Sequence, residues 1–235
     1  MNQLPLSPST AVSTWRRYGG RPPILVVIVW VVAFCLPIDA IAKPTDTYSL
    51  DGVERIIPAK GKTKCPAVEL ITYKGNTVKL APSGRVNEEF AKRLDRFESV
   101  LIDVATEIYG RPPKRIRSLG TYNCRRIAAY PTYLSEHGLG NAIDISAFDF
   151  GPAKKDQKLP ADLPKTLRRS FSVNILKHWD SDRGVGKIHQ EFLHTLATRL
   201  IERDDIFRVL LGPGFPGHKN HFHFDCSPWR IVNVF

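Results

Sequence analysis

The sequence has no glycine-rich phosphate-binding loop, no internal repeat and no regular alternation of strands and helices. These absences argue against a nucleotide-binding doubly wound fold and against a repeat architecture. No apolar run is long enough for an ordinary membrane span, which needs about 20 residues. The longest such run, from Ile24 to Leu36, has 13 residues. The remaining composition, 43% hydrophobic and 24% charged, is sufficient for one globular domain.

The short apolar run has the flanks of an export signal. Arg16, Arg17 and Arg21 precede it, and Ala40-Ile41-Ala42 follows it. A basic region, a short apolar region and a small-x-small site together predict a secretory signal peptide over residues 1–42. Because the region before the run is long, an uncleaved N-terminal anchor is the alternative. Either form would contact the membrane or export machinery, and the expected location is the periplasm or cell envelope.

Cysteine is scarce, with four residues in the chain. Cys35 lies in the apolar run, which leaves Cys65, Cys124 and Cys226 for the exported domain. In an oxidising compartment these three can form at most one internal disulfide. The sequence does not indicate which two are joined.

Positive charge exceeds negative charge, giving a formal net charge of +11. Residues 1–42 contribute only three arginines and one aspartate to it. A basic exported domain favours an anionic partner such as a wall polymer. The basic residues are scattered and no aromatic-basic stripe accompanies them, which argues against nucleic-acid binding.

Two helices are predicted. In the first, the apolar side chains of Phe90, Leu94, Phe97, Leu101, Val104 and Ile108 recur at steps of four and three, and Gly110 and Pro112 end the helix. The second runs from about residue 187 to 203. His189 and His194 lie off its apolar stripe, so both are expected to be exposed and neither is expected to be a ligand.

The rest of the chain predicts short strands in an α+β domain over residues 65–235, after a polar tether over residues 43–64. Segments 68–73 and 77–80 are expected to form a hairpin around Lys74-Gly75-Asn76. Residues 151–185 lack periodicity and are interpreted as a flexible surface loop, with a lid over a site as the alternative. Further strands are expected at 114–120, 142–148, 207–211 and 221–225, and the sheet is expected to be mostly antiparallel with flanking helices.

Two polar clusters could carry chemistry. The first places His137 and Asp144 on either side of a glycine-rich turn into a strand. The second runs from His218 to Asp225. Side chains alternate faces along a strand, so His221 and His223 should share one face while the intervening Phe222 and Phe224 face the core.

These clusters together offer the donor set of a catalytic zinc ion. Such an ion takes three protein ligands and one open position, and His137, Asp144 and His223 supply two imidazoles and a carboxylate. His221 is then expected to act as general base. A polar strand face without any metal is the alternative interpretation of the same pattern.

At these residues the chain resembles the extensin-like C-terminal domain family. That family is grouped with the zinc D-Ala-D-Ala metallopeptidases and the hedgehog signalling domain. The matching motifs are Tyr122-Asn123-Cys124-Arg125, Ser135-Glu136-His137-Gly138, Ala142-Ile143-Asp144-Ile145, Leu210-Leu211-Gly212-Pro213-Gly214 and His221-Phe222-His223-Phe224-Asp225.

The resemblance implies a peptidase-like fold and zinc-dependent hydrolysis of an amide bond in peptidoglycan, with endopeptidase activity favoured over carboxypeptidase activity. It implies zinc ligation by His137, Asp144 and His223, a base role for His221, and substrate contacts from Arg125, Ser135 and His218. A non-catalytic zinc-containing wall-binding or adaptor module is the alternative, as in the hedgehog relatives. A domain held by a disulfide without any metal is the third possibility.

Overall fold

The computed structural model describes residues 47–235, so the predicted signal peptide over residues 1–42 lies outside the described part. Among the described residues, no helix combines the length and the apolar character that crossing a membrane requires. The helices are α1 Glu88–Tyr109, α2 Ile175–His178 and α3 Gly184–Ile201. The strands are β1 Ile71–Tyr73, β2 Lys79–Ala81, β3 Gly84–Val86, β4 Arg115–Gly120, β5 Ala142–Phe150, β6 Phe171–Asn174, β7 Val209–Leu211, β8 Phe222–Asp225 and β9 Ile231–Asn233.

Helix α1 confirms the predicted apolar periodicity. The side chain of Asn87 accepts a hydrogen bond from the Glu89 N–H and caps the first turn. Gly110 adopts a left-handed conformation, with φ of 69°, and its N–H bonds to the Thr106 carbonyl. Glycine adopts this left-handed conformation without strain because it has no Cβ. Gly110 therefore fixes where the helix ends.

The main sheet has seven strands in the order β2-β4-β5-β8-β7-β9, with β6 added beside the second half of β5. Its central pairs are antiparallel, and the edge pairs β2–β4 and β7–β9 are parallel. The α+β class is therefore confirmed. The expected mostly antiparallel sheet is matched only in part, because the two edge pairs are parallel. Phe222 and Phe224 are fully buried on the core side, as their alternation with the histidines predicted.

The predicted hairpin around Lys74-Gly75-Asn76 is wrong. Strand β1 pairs with β3 in a separate two-stranded sheet, and β2 pairs in parallel with β4. The reason is the buried carboxylate of Glu98 on α1, which accepts hydrogen bonds from the N–H groups of Asn76, Thr77 and Val78. The turn is therefore tied to the helix instead of closing a ladder between its two flanking segments.

Residues 151–185 do not form a loose surface loop. They contain β6, α2 and a 3-10 turn over Lys165–Arg168, and they bury Leu163 and Leu167. The guanidinium of Arg111 donates hydrogen bonds to the carbonyls of Gly151, Leu167 and Arg169, which holds the segment against the end of α1. The apolar residues here follow no single period because the segment changes its structure several times.

Residues 47–57 are packed against the domain, which corrects the tether prediction for that part of residues 43–64. Tyr48 and Leu50 are buried, and the Tyr48 hydroxyl donates to the Asn141 side chain over 2.6 Å. The Arg55 guanidinium, 4% exposed, donates to the buried Glu136 carboxylate. The polar composition of this segment predicted a tether, but its charged side chains pair with charged groups inside the domain.

His189 is buried rather than exposed, contrary to the sequence prediction. Its Nδ1 lies 2.9 Å from the Tyr109 hydroxyl, and its ring stacks on Phe171 and lies 4.6 Å from the ring of His178. The other histidine of α3, His194, is half-buried, with its Nε2 3.1 Å from the Trp179 carbonyl. The apolar stripe of α3 packs on the core. β6 and α2 pack on another side of the same helix, so His189 is covered as well.

This burial predicts a specific acid sensitivity. Desolvation, with smaller contributions from the neighbouring His178 and Lys177, lowers the pKa of His189 to about 4. Between pH 6.5 and 4 the unfolded chain therefore binds a proton at this position that the folded chain does not, so stability falls with falling pH. We expect His189→Gln to lose less stability across this window, by up to about 3 kcal/mol, in urea unfolding series. Equal losses in the variant and the wild type would contradict the prediction.

Candidate metal centre

The centre is built where β5 and β8 pair. Asp144 on β5 lies directly opposite His223 on β8, and Gly120 of β4 lies on the other side of Asp144. His137 comes from the 3-10 turn Glu136–Leu139 just before β5. Gly140 ends this turn with φ of 61°, and a Cβ there would meet Leu70 and the backbone of residues 86 and 87. The glycine of the motif therefore permits the close turn that brings His137 back over β5.

The three predicted ligands meet at one point. His137 Nε2 lies 3.2 Å from Asp144 Oδ2 and 3.2 Å from His223 Nδ1, and His223 Nδ1 lies 2.9 Å from Asp144 Oδ1. Together they form a cluster of possible metal-ligating groups within the described residues. Zinc–nitrogen bonds of 2.0–2.1 Å at a tetrahedral angle separate two ligand nitrogens by about 3.3 Å. The donor types and their spacing therefore fit a divalent cation such as zinc.

Both imidazoles are oriented from behind by acceptors. His137 Nδ1 lies 3.1 Å from the Thr121 carbonyl, and His223 Nε2 lies 2.8 Å from Asp225 Oδ2. Each acceptor draws the ring proton to its own side, which leaves the opposite nitrogen of each ring with a free lone pair for a cation. Neither Thr121 nor Asp225 is among the site residues predicted from the sequence. Asp225 could have been found, because it follows His223 by two residues on the same strand.

The electrostatics of the cluster favour positive charge. Burial alone would raise the pKa of the Asp144 carboxyl, but hydrogen bonds with His137 and His223 hold that pKa well below its usual range. Burial would likewise lower the pKa of His223, but Asp144 and Asp225 together raise it to about 9. Without a metal, both ring nitrogens of His223 therefore carry a proton at neutral pH, and Nδ1 has to lose its proton before it can bind a cation. A cation has to displace that proton, so its affinity should decrease as the pH falls below 9.

Replacing Asp225 by asparagine tests this orientation directly. Asp225 Oδ1 accepts from the Ser227 N–H while Oδ2 faces His223, so an amide would turn an N–H toward one of these two donors. We expect Asp225→Asn to weaken zinc binding by about 10- to 100-fold in competition with a chromogenic chelator. Asp182→Asn, at an aspartate with a 77% exposed side chain, is the matched control. Unchanged affinity in Asp225→Asn would show that the carboxylate does not orient His223.

His221 lies beside the three ligands. Its Nε2 is 3.8 Å from Asp144 Oδ1, and its Nδ1 is 2.8 Å from the Asn220 side-chain oxygen. If Nδ1 carries the proton that Asn220 accepts, Nε2 faces the centre with its lone pair. Burial lowers the pKa of His221, which keeps the ring neutral at pH 7. Asn220 is a further positioning residue that the sequence analysis did not identify.

His218 also lies at the centre. Its ring is 4.8 Å from that of His221 and 5.8 Å from that of His223, and its Nδ1 is 3.2 Å from the Pro216 carbonyl. Burial lowers the pKa of His218, and the positive charges of His223 and Arg125 act in the same direction. The structure therefore brings His218 to the cluster and places the charge of Arg125 within electrostatic range of it.

Arg125 and Ser135 differ in exposure. Arg125 is exposed, whereas Ser135 is 5% exposed and its side chain makes no capping hydrogen bond to the turn that it precedes. Their backbones are joined, because the Ser135 N–H donates to the Arg125 carbonyl over 3.0 Å. Arg125 is thus available to a substrate, and Ser135 contributes chiefly through its main chain.

The cysteine pairing that the sequence left open is resolved. Cys65 and Cys124 form a disulfide, and Cys226 is a buried free thiol. The disulfide joins the segment before β1 to the residue preceding Arg125. The Cys65 sulfur also packs against Gly138, where an added Cβ would lie 2.8 Å from it. The disulfide therefore supports the loop that carries His137 and Arg125.

A buried hydrogen-bond network joins the segment that carries His137 to the segment that follows His223. Asn141 donates through its side-chain amide to the Glu136 carboxylate and to the Cys226 carbonyl, 3.1 Å away. Arg55 completes the charge balance of Glu136. Because Glu136 precedes His137, this network joins the turn before β5 to the end of β8.

Comparisons with known proteins agree with the motifs. The family described as extensin-like protein C-terminus matches residues 46–233, which is most of the chain and includes the segment that the sequence analysis treated as a tether. No significant match was found among curated proteins or among solved structures. The match contains every residue of the centre, and the chain belongs to the extensin-like protein C-terminus family.

Proposed function

We propose that this chain is an exported zinc metallopeptidase that hydrolyses amide bonds in peptidoglycan peptides, acting as an endopeptidase rather than a carboxypeptidase. The observation that carries the proposal is the convergence of His137, Asp144 and His223, whose ligand atoms lie 2.9–3.2 Å apart with the His221 imidazole beside them. We also propose that the chain belongs with the zinc D-Ala-D-Ala metallopeptidases and the hedgehog signalling domain. The net charge of +11 suits an anionic wall polymer as partner.

His137, Asp144 and His223 would hold the ion. When bound, zinc lowers the pKa of a coordinated water and polarises a substrate carbonyl. His221, kept neutral by burial, takes a proton from the attacking water as its oxygen bonds to the carbonyl carbon. The same imidazole then delivers the proton to the leaving nitrogen as the carbon–nitrogen bond breaks. Arg125 supplies an exposed positive charge for the substrate or the developing oxyanion, and His218 adds a further substrate contact. Ser135 is buried, and it holds the Arg125 backbone through its N–H.

A non-catalytic zinc-containing wall-binding or adaptor module is the second candidate. The observation that favours it is the thorough support of the ligands: His137 is 2% exposed, and each imidazole has its own acceptor. Such support would suit a structural ion equally well. The neutral, half-buried His221 with its Asn220 partner favours hydrolysis, because a structural site has no use for a base.

The test combines metal content with product analysis. Purified protein comprising residues 43–235 is expected to bind one equivalent of zinc and to release soluble peptides from isolated peptidoglycan. Each cut should expose one new amine and one new carboxyl group by mass spectrometry. A chelator should abolish release, and added zinc should restore it. Zinc-loaded protein that binds the wall but releases nothing from several wall types would favour the module, and protein that binds no zinc would overturn both candidates.

A further inference from the structure

A cavity of about 220 Å³ lies next to the metal centre, between the start of β3 and the end of β4. Its wall includes Ser83, Gly84, Arg85, Gly120, Thr121 and Tyr122. Pockets that bury a drug-sized ligand have volumes of about 300–1,000 Å³. The cavity is therefore suited to one residue or one side chain of a larger substrate rather than to a whole ligand.

Two residues of the cavity wall touch the metal ligands. Gly120 pairs with Asp144 across β4 and β5, and the Thr121 carbonyl is the acceptor for His137. A Cβ on Gly120 would meet no atom within 4 Å, so its missing side chain leaves the space beside Asp144 open. A group bound in the cavity would therefore lie beside the candidate ligands Asp144 and His137.

The wall is held rigidly. The Thr121 hydroxyl donates to the Arg85 carbonyl over 2.9 Å, which joins the end of β4 to β3. Gly84 packs so closely on Thr121 that an added Cβ would lie 2.2 Å from its Oγ1. Thr121 lines the cavity, and its carbonyl lies within hydrogen-bond distance of His137. The position of the cavity is therefore fixed relative to the candidate metal centre.

Arg85 supplies the binding chemistry of the cavity. Its guanidinium carbon lies 5.1 Å from the centre of the Tyr122 ring, and no carboxylate of the described residues forms an ion pair with it. A guanidinium over an aromatic face keeps its in-plane N–H groups free for a carboxylate. Arg115 and Arg117 on the neighbouring strand differ, since both are paired with Asp149.

We propose that this cavity is a substrate subsite for a carboxylate-bearing residue next to the scissile amide, with the Arg85 guanidinium as the group that binds the carboxylate. The inference rests on the proposed function and adds to it a preference for a free acid over the corresponding primary amide. A hydrogen-bonded pair of opposite charges accounts for a preference of about 10- to 100-fold.

Two synthetic stem peptides that differ only in a free acid or a primary amide beside the scissile bond provide the test. Wild-type protein loaded with zinc is expected to cleave the acid with a kcat/KM about tenfold or more above that of the amide. Arg85→Gln should bring this ratio close to one, mainly by raising KM for the acid, and Arg85→Lys should retain part of it. The control is Arg183→Gln, at an arginine with a 91% exposed side chain, which should keep the wild-type ratio.

Calorimetric titration of both peptides separates this proposal from the hydrolase. If neither peptide is cleaved but wild type binds the acid more tightly and Arg85→Gln does not, the subsite stands and the proposed hydrolysis fails. If wild type cleaves both peptides equally, or Arg85→Gln keeps the acid preference, the subsite is overturned while the hydrolase stands. Binding of neither peptide, without cleavage, overturns both.

Discussion

Replacing His223 by alanine is expected to remove zinc from the protein and to lower peptidoglycan hydrolysis by at least about a thousandfold. His223 supplies one of the three proposed ligand atoms, and its loss leaves only Asp144 and His137 to hold the ion. Zinc sites with three protein ligands lose the geometry of their open position when one ligand is removed. Metal content after dialysis, measured by mass spectrometry, and release of wall peptides are the two measurements.

A control separates loss of the metal from loss of the fold. His194→Gln changes a half-buried histidine on α3, whose Nε2 lies beside the Trp179 carbonyl, and it should retain both zinc and activity. Circular dichroism of metal-free wild type and metal-free His223→Ala should show the same secondary structure. A His223→Ala protein that keeps one equivalent of zinc would exclude the proposed ligand set.

Replacing His221 by alanine is expected to lower kcat by about 100- to 10,000-fold while zinc stays bound. His221 Nε2 lies 3.8 Å from Asp144 Oδ1, close to the cluster but outside the three converging ligand atoms. Its loss therefore removes a proton acceptor and leaves the donors in place. Metal content and single-turnover cleavage rates, measured on the same sample, give the two results separately.

The pH dependence of the wild type provides a second measurement for His221. Burial lowers the pKa of this imidazole from 6.5, so at saturating zinc the fraction of neutral base, and the rate, should fall only in acidic solution. This acidic limb should be absent from the residual activity of His221→Ala. A variant that stays within about fivefold of the wild-type kcat would assign the proton transfer to another group, with His218 the nearest imidazole.

Part of the candidate metal centre follows from local rules. Alternation along a strand places His221 and His223 on one side and Phe222 and Phe224 on the other, because the side-chain period is two residues. Both phenylalanines are buried, as that rule requires. The residues that orient the ligands were harder to find, since Thr121 acts through a backbone carbonyl, which any residue type possesses.

Where local patterns failed, a distant partner decided the outcome. Residues 74–78 have the composition of a hairpin turn, but the Glu98 carboxylate from α1 takes their N–H groups. His189 lies off the apolar stripe of its own helix, but Phe171 and His178 from another segment cover it. The hydrophobic period of a helix predicts the face that packs on the core. It does not predict whether another segment covers a different face of the same helix.

By itself, the sequence determined the amphipathic helix α1 and the α+β class, and it was sufficient to predict His137, Asp144 and His223 as candidate donors, since these depend on residue type and short-range period. Only the tertiary structure decided that the three donors share one point. It also decided that Cys65 pairs with Cys124, because both depend on distances between segments far apart in the chain. Such distances are set by strand register and by the burial of the whole core, to which every part of the domain contributes.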